Sequence, residues 1–361
     1  GMPDFRMLLS PSANHVYRDA TPRLAAAELE ITAGCADQIG ITSLGRADAL
    51  RFSADDLDEL ALAAQSSLLV GFEESDGWLR PLDLPNLQVM DDDLVTIPKY
   101  PGKTNEAFTR LLLHLTLSQV SRPGPLEVLD PLAGRGTTLL AAWQAGHHGF
   151  GVEADEKAFD ALASYLKTYL RTKRIKHSAQ VSRVRREGRS LGRRLDAEAR
   201  LDEATHDHPA QPGAPRLKMT VFTGDTRDSA TLFGRKRFDA IVTDAPYGVV
   251  HGAEQRSSGQ RGSDRRGSDR HGSERHGDPH PGGRDRSPSG LLAEAIPIWR
   301  SQLKPGGALG ISWNTYTLSR DELLEMLTDA GLHPFDDGPW LEFEHRVDSS
   351  INRDLVVAIT D

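Results

Sequence analysis

From about residue 105 onward, short apolar runs alternate with stretches of helical periodicity, and no other feature constrains the fold as strongly. A helical stretch at 105–120 precedes "LEVLD" (126–130), a glycine-rich turn and a helix at 136–146. "HGFGVEAD" (148–155) reads as a second strand and is followed by a helix at 156–170. "KMTVF" (218–222), "FDAIVT" (238–243) and "GGALGISW" (306–313) read as three more strands, with helices at 291–303 and about 320–331. "LEFEHRV" and "DLVVAIT" then suggest a closing hairpin. Strands that alternate with helices build a doubly wound parallel sheet. Such a sheet binds ligands beyond the carboxyl ends of its strands.

The first part of the chain follows a different pattern. "FRMLLS" (5–10) and "LLVGF" (68–72) read as strands. Thr21-Pro22 reads as a helix start, with Leu24, Ala27, Ile31 and Cys35 at helical spacing. "SADD" (53–56) resembles a capping box that opens a second helix. These elements predict a small α/β domain over 2–97 and a larger one over 98–361, as a length of 361 residues suggests. Gly1, ahead of Met2, reads as a remnant of tag removal.

Residues 1–100 carry 7 Lys+Arg and 17 Asp+Glu, a net of −10, while the remainder carries 36 and 35. Any contact with a polyanion is therefore expected from local patches in the second part. A single cysteine, Cys35, excludes an internal disulfide and a cysteine-built zinc site. No apolar run approaches the roughly 18 residues of a membrane span, and no signal-peptide pattern is present. A cytoplasmic protein is the expectation.

Two insertions break the alternation. The first, 171–216, begins with ten Lys+Arg and one Glu over 171–194. That segment suits either phosphate contacts or a solvated extension. The second, 252–290, has Ala253 as its only aliphatic residue and repeats "RGSDR", "RGSDR", "HGSER". Such a composition cannot bury enough surface to fold alone and reads as a disordered, low-complexity linker. Its neighbourhood holds His251, His271, His276 and His280, for which a linker reading is preferred over a metal site.

The strand ends carry the chemistry. "LDPLAGRGTT" (129–138) places Gly134 and Gly136 in a tight turn, where backbone amides and a helix N-terminus face a ligand. Glu153 ends the next strand and suits ribose hydroxyls. Asp225, in "FTGDT", can accept from an adenine amino group. Each acid can instead cap a following segment; together they point to an adenosine compound. The full dinucleotide fingerprint and a Walker lysine are missing. S-adenosylmethionine fits better, its amino-acid tail suited to Asp130 and Gly134. On the fourth strand, "TDAPYG" (243–248) offers a carboxylate from Asp244 and a carbonyl from Ala245, whose extended conformation Pro246 favours. Those two acceptors can grip both hydrogens of an –NH2 group, while Tyr247 stacks on a planar base. The alternative is a β-turn with an Asp cap.

These segments resemble the class I S-adenosylmethionine-dependent amino-methyltransferases. They are most similar to the tRNA guanosine-N2 methyltransferases that carry an N-terminal THUMP-type RNA-binding region. "YPGKTNEAF" (100–108) resembles that family's lead-in to the catalytic domain. The resemblance covers about 98–361 without the insertions. It implies a Rossmann-like doubly wound methyltransferase sheet with a C-terminal β-hairpin, plus a small N-terminal α/β domain of degenerate THUMP type. It further implies cofactor contacts from Asp130, Ala133, Gly134, Gly136, Thr137, Glu153, Asp225 and Thr104. The target base would be held by Asp244, Ala245, Pro246 and Tyr247. Leu132 and Ala245 depart from the family's Phe and first Pro. The implied substrate is an exocyclic amine of a nucleic-acid base, RNA ahead of DNA, with no metal and no membrane. A non-catalytic relative that keeps the fold is the alternative of a different class.

Overall fold

The computed structural model describes residues 1–12, 14–96, 105–245 and 287–361. The N-terminal part is an antiparallel sheet of β1 (Asp4–Leu9), β2 (Asp37–Leu44), β3 (Ala47–Ser53), β4 (Leu68–Ser75) and β5 (Trp78–Pro81), in the order β2-β3-β1-β4-β5. Phe5, Met7 and Leu9 alternate on one face of β1 and are buried with Leu50 and Phe52. Helix α1 (His15–Thr32) covers that face through Ala25 and Leu29, and the short α2 (Glu59–Ala63) adds Leu62.

Two sequence expectations fail here. Helix α1 starts at His15, not at Thr21, because the Asn14 side chain caps the amides of Val16 and Tyr17. Pro22 lies inside the helix and leaves the Arg18 carbonyl without its usual helical donor. The earlier turns persist because Tyr17 is buried edge-on to Phe108 and His345. "SADD" opens no helix. Ser53 ends β3 opposite Asp4 and donates its hydroxyl to that carboxylate at 2.7 Å, and Asp58 caps α2 instead.

The larger part contains α3 (Glu106–Ser118), β6 (Glu127–Asp130), α4 (Thr137–Gln144), β7 (His148–Glu153) and α5 (Glu156–Thr172). Strands β8 (His177–Arg186), β9 (Arg189–Arg200) and β10 (Arg216–Thr223) follow, then α6 (Ser229–Phe233) and β11 (Phe238–Asp244). After α7 (Pro288–Ser301), the chain forms β12 (Leu303–Asn314), α8 (Arg320–Asp329), β13 (His333–Pro334), β14 (His345–Arg346) and β15 (Asn352–Ile359). The sheet order is β13-β15-β12-β11-β6-β7-β10-β9-β8, with β14 on β15. Strands β10, β7, β6, β11 and β12 are mutually parallel, and β15 joins antiparallel.

Alternation along the strands divides the core into two layers. Ala240 and Val242 of β11 face α3, α4 and α5, while Phe238 and Ile241 face α7 and α8. This is a Rossmann-like, doubly wound sheet. The chain steps outward from β6 through β7 to β10 and then crosses to β11 on the other side of β6. A crevice therefore opens beyond Asp130 and Asp244, where ligands of such folds bind. The closing hairpin is short: "LEFEHRV" contributes only His345 and Arg346 as strand.

The basic part of the 171–216 insertion is largely β-strand. Residues 177–200 form an antiparallel hairpin that adds β9 and β8 to the sheet beside β10. Leu195, Ala197 and Ala199 supply a buried face at strand period, which the many arginines obscure in sequence. The 252–290 linker reading lies outside the described residues. No helix among the described residues is long and apolar enough to cross a membrane.

Candidate active site

The turn after β6 is shaped by two glycines in the left-handed region, Gly134 at φ 55° and Gly136 at φ 86°. A side chain at Gly136 would place Cβ 2.5 Å from Leu162 Cδ1, so a larger residue would also have to displace that side chain. The Gly134 amide donates to Glu153 Oε2 at 2.6 Å, and the Asp155 amide donates to Oε1 at 3.1 Å. Glu153 is thus fixed at the end of β7 by backbone from two sides. Ala133 donates its amide to the Val152 carbonyl at 2.9 Å, locking the turn onto β7. The Thr137 hydroxyl, in the first turn of α4, is buried and makes no hydrogen bond among the described residues.

Asp130 is 3% exposed. Its Oδ1 accepts from the Leu132 amide at 3.0 Å and from the Thr243 hydroxyl at 2.7 Å, which ties β6 to β11. Burial pushes its carboxyl up to about 7; those two hydrogen bonds pull the other way, and the charges of Glu153 and Asp244 add to the rise. Three carboxylates on adjacent strand ends therefore sense one another. A cationic ligand relieves that repulsion.

A small, partly open cleft lies beside them. Pro131, Leu132, Ala154 and Leu291 form its apolar walls; Glu153, Asp225, Thr226 and Arg227 are its polar lining. Asp225 does cap the turn that follows it: Oδ1 accepts from the Arg227 amide at 2.8 Å and from Nε at 3.0 Å. Arg227 Nη2 donates to Oδ2 at 2.9 Å, and its other branch reaches Glu294 at 3.4 Å. The Trp299 indole donates to the Thr226 hydroxyl at 3.0 Å, securing the turn on α7. Its lining combines apolar side chains with two acids, the mixture typical of small-molecule sites.

Asp244 ends β11 in register with Ser312 of β12. The Ser312 hydroxyl donates to Asp244 Oδ1 at 2.7 Å. Arg353, from β15, donates Nη1 to Oδ1 at 3.0 Å and to Oδ2 at 3.2 Å, with a side chain only 4% exposed. The Ala245 amide bonds the Ser312 carbonyl at 2.8 Å, which continues the strand one residue past the acid.

The structure thus brings Asp130, Ala133, Gly134, Gly136, Thr137, Glu153, Asp225, Asp244 and Ala245 to one edge of the sheet. Pro246, Tyr247 and Thr104 lie outside the described residues. Sequence reasoning missed Arg227, Ser312 and Arg353. Ser312 and Arg353 each interrupt or open an apolar strand, which is a signal for a buried polar role. Nothing in the sequence gives their common partner. Among the described residues no group of three His, Cys, Asp or Glu is arranged to hold a metal.

No protein-family profile and no curated protein matches the chain. Solved structures with partial likeness include the precorrin-6y C5,15-methyltransferase of Geobacter metallireducens. It has 12% identity and a TM-score of 0.38, over 76% of this chain and 97% of that one. The magnesium protoporphyrin IX methyltransferase of Synechocystis, with bound SAM, overlaps at 12% identity and a TM-score of 0.37, over 71% and 79%. The 16S rRNA N2-guanosine methyltransferase of T. thermophilus, in complex with AdoMet and guanosine, overlaps at 15% and 0.35, over 90% and 58%. At these scores the likeness assigns neither family nor substrate, and the fold stands on the strand order of the chain itself.

Proposed function

We propose that this chain transfers a methyl group from S-adenosylmethionine to an exocyclic amino group of a nucleic-acid base, guanosine N2 of an RNA foremost. The observation that carries the reading is Asp244. Its carboxylate is set at the fourth parallel strand end by Ser312 and Arg353, one strand away from Asp130 and on the same sheet edge as the cleft beside Glu153 and Asp225.

The residues fit the cofactor. Asp130, Glu153 and Asp244 favour a cation, Thr137 Oγ1 is a buried hydroxyl in want of a partner, and the cleft has apolar walls between Glu153 and Asp225. Glu153 would hold the ribose hydroxyls, and Asp225 the adenine amino group, while Gly134 and Thr137 would meet the amino-acid tail. Bound there, S-adenosylmethionine supplies an electrophilic methyl on a positively charged sulfur. Asp244 accepts one hydrogen of the target amine and the Ala245 carbonyl the other. The nitrogen lone pair is thereby aimed, and Asp244 offsets the positive charge that develops on the nitrogen. Rate enhancement then comes from positioning and electrostatics. Tyr247 is proposed to stack on the base.

Calorimetry with S-adenosylmethionine and its demethylated product tests the cofactor half; binding of neither sinks the proposal. Incubation with methyl-labelled cofactor and separate pools of tRNA, rRNA and DNA tests the substrate half. RNA is expected to be labelled, and Asp244→Ala to abolish labelling while cofactor affinity persists. Equal labelling by Asp244→Ala would remove the role given to that carboxylate.

A further inference from the structure

Strand β9 pairs antiparallel to β10, with Arg194 opposite Phe222, so the β8–β9 hairpin points toward the ligand edge of the sheet. Arg193 bonds its amide to the hydroxyl of Thr223, the last residue of β10, and Arg183 lies opposite Arg193. Residues 184–192 therefore project past the sheet. At about 3.3 Å per residue the turn at Glu187-Gly188 stands roughly 15 Å beyond the edge.

Charge is distributed unevenly along this hairpin. Below the edge it is balanced: Arg194 pairs with Asp196 at 2.7 Å and Arg200 with Glu198 at 3.7 Å. The stretch His177–Ser182 contains no lysine or arginine, whereas 183–189 contains four arginines and one glutamate. Arg183, Arg185 and Arg189 are exposed and form no ion pair among the described residues. Arg193 is held by Asp160 at 2.7 Å over the Phe159 ring, but Arg183, directly across from it, has no acid. Like charges opposite one another cost stability. Charges that only kept the edge strand β8 from pairing would be spread along its whole length; these are confined to the part that runs past the end of β10.

We propose that residues 183–189 are a docking arm for the phosphodiester backbone of a folded RNA. Four strand spacings of about 4.8 Å separate β9 from β11, so the arm stands roughly 20 Å from Asp244. A free nucleoside cannot bridge that span, and a polynucleotide can. An amine held by Asp244 is not in a base pair. Folded RNA offers unpaired bases beside duplex phosphates with little unstacking cost. The inference takes the amino-methyltransferase reading for what lies at Asp244, but its test is separate.

The test is fluorescence anisotropy of a labelled stem–loop RNA on the full chain across a salt series. Arg183→Gln/Arg185→Gln/Arg189→Gln is expected to weaken binding roughly tenfold and to reduce the slope of log affinity against log salt by about 2–3. Cofactor affinity by calorimetry should not change. The triple lysine variant should keep most of the slope, because it keeps the charge. Wild type that fails to bind RNA, or a glutamine variant with an unaltered slope, overturns the arm. So does a loss of cofactor affinity in that variant, which would make the arginines structural. A DNA duplex of the same sequence bound as tightly, with the same arm dependence, overturns the assignment to RNA. Arm-dependent RNA binding without methyl transfer would leave the arm standing and remove the catalytic reading.

Discussion

At the residue scale, the Arg353 guanidinium is the most consequential group the structure adds. It holds both oxygens of Asp244 and is itself buried. Arg353→Met should lower turnover by roughly 10²–10³-fold, the scale of a misaligned or missing electrostatic contact, with cofactor affinity little changed. Arg353→Lys should recover only part of that, since an ammonium on a different stem keeps the charge but not the position from which Nη1 meets both oxygens. Single-turnover kinetics with titrated cofactor separates the two effects. Asp130 gives a second test. Its folded pKa of about 7 lies above the ordinary 3.8, so the native protein keeps a proton that the unfolded chain releases. Stability is therefore greatest below about pH 4 for this group and falls as pH rises toward 7, by on the order of a few kcal/mol. Asp130→Asn should flatten that slope in thermal melts taken across pH, and a slope that survives would show that another group sets it. The sequence shows that an acid belongs at position 130; the shift depends on burial and on two carboxylates brought in from other strands.

Among the elements, the β6–α4 turn is the one most exposed to a small change. Gly136→Ala meets both a positive φ and the Leu162 side chain, which is 1% exposed. It should destabilise the protein by about 1–3 kcal/mol in urea unfolding. Cofactor affinity should fall with it, because the same turn orients Glu153. This turn was legible in sequence because glycine spacing and the next strand's acid lie close together along the chain. The parallel strands were legible because apolar runs bounded by helices admit few other readings. Strands β2 and β5 were not, since none of their residues is buried and they lack an apolar face to read. The β8–β9 hairpin was hidden for a different reason. Its small apolar positions Ala179, Ala197 and Ala199 gain meaning only against α5 and β10.

Across the whole molecule, α1 joins the two sheets. Ala25 and Leu29 belong to the core of the antiparallel sheet, while Tyr17, Leu24 and Ala27 belong to that of the larger one. Between them Glu28, fully buried, accepts from the Ser66 amide and hydroxyl and meets His114 Nδ1 of α3 at 2.6 Å. Arg23 adds hydrogen bonds to the Glu342 and Glu344 carbonyls, 2.5 and 2.8 Å away. Glu28→Leu should cost about 3 kcal/mol, because it strands buried donors on both sides. Hydrogen exchange should then rise in β4 and α3 together; a rise in only one would show that the sheets are independent. Packing also runs across the boundary read from sequence at residue 97: Met90, Leu94 and Val95, ahead of it, belong to the core of the larger sheet.

The placement of Arg353 also bears on how the protein is made. Asp244 leaves the ribosome 109 residues ahead of its guanidinium partner. Every strand of the parallel sheet precedes β15 in synthesis, so Asp244 and its strand neighbours are all made before the arginine that holds the carboxylate. The last strand of the sheet thus completes the setting of a side chain laid down long before it.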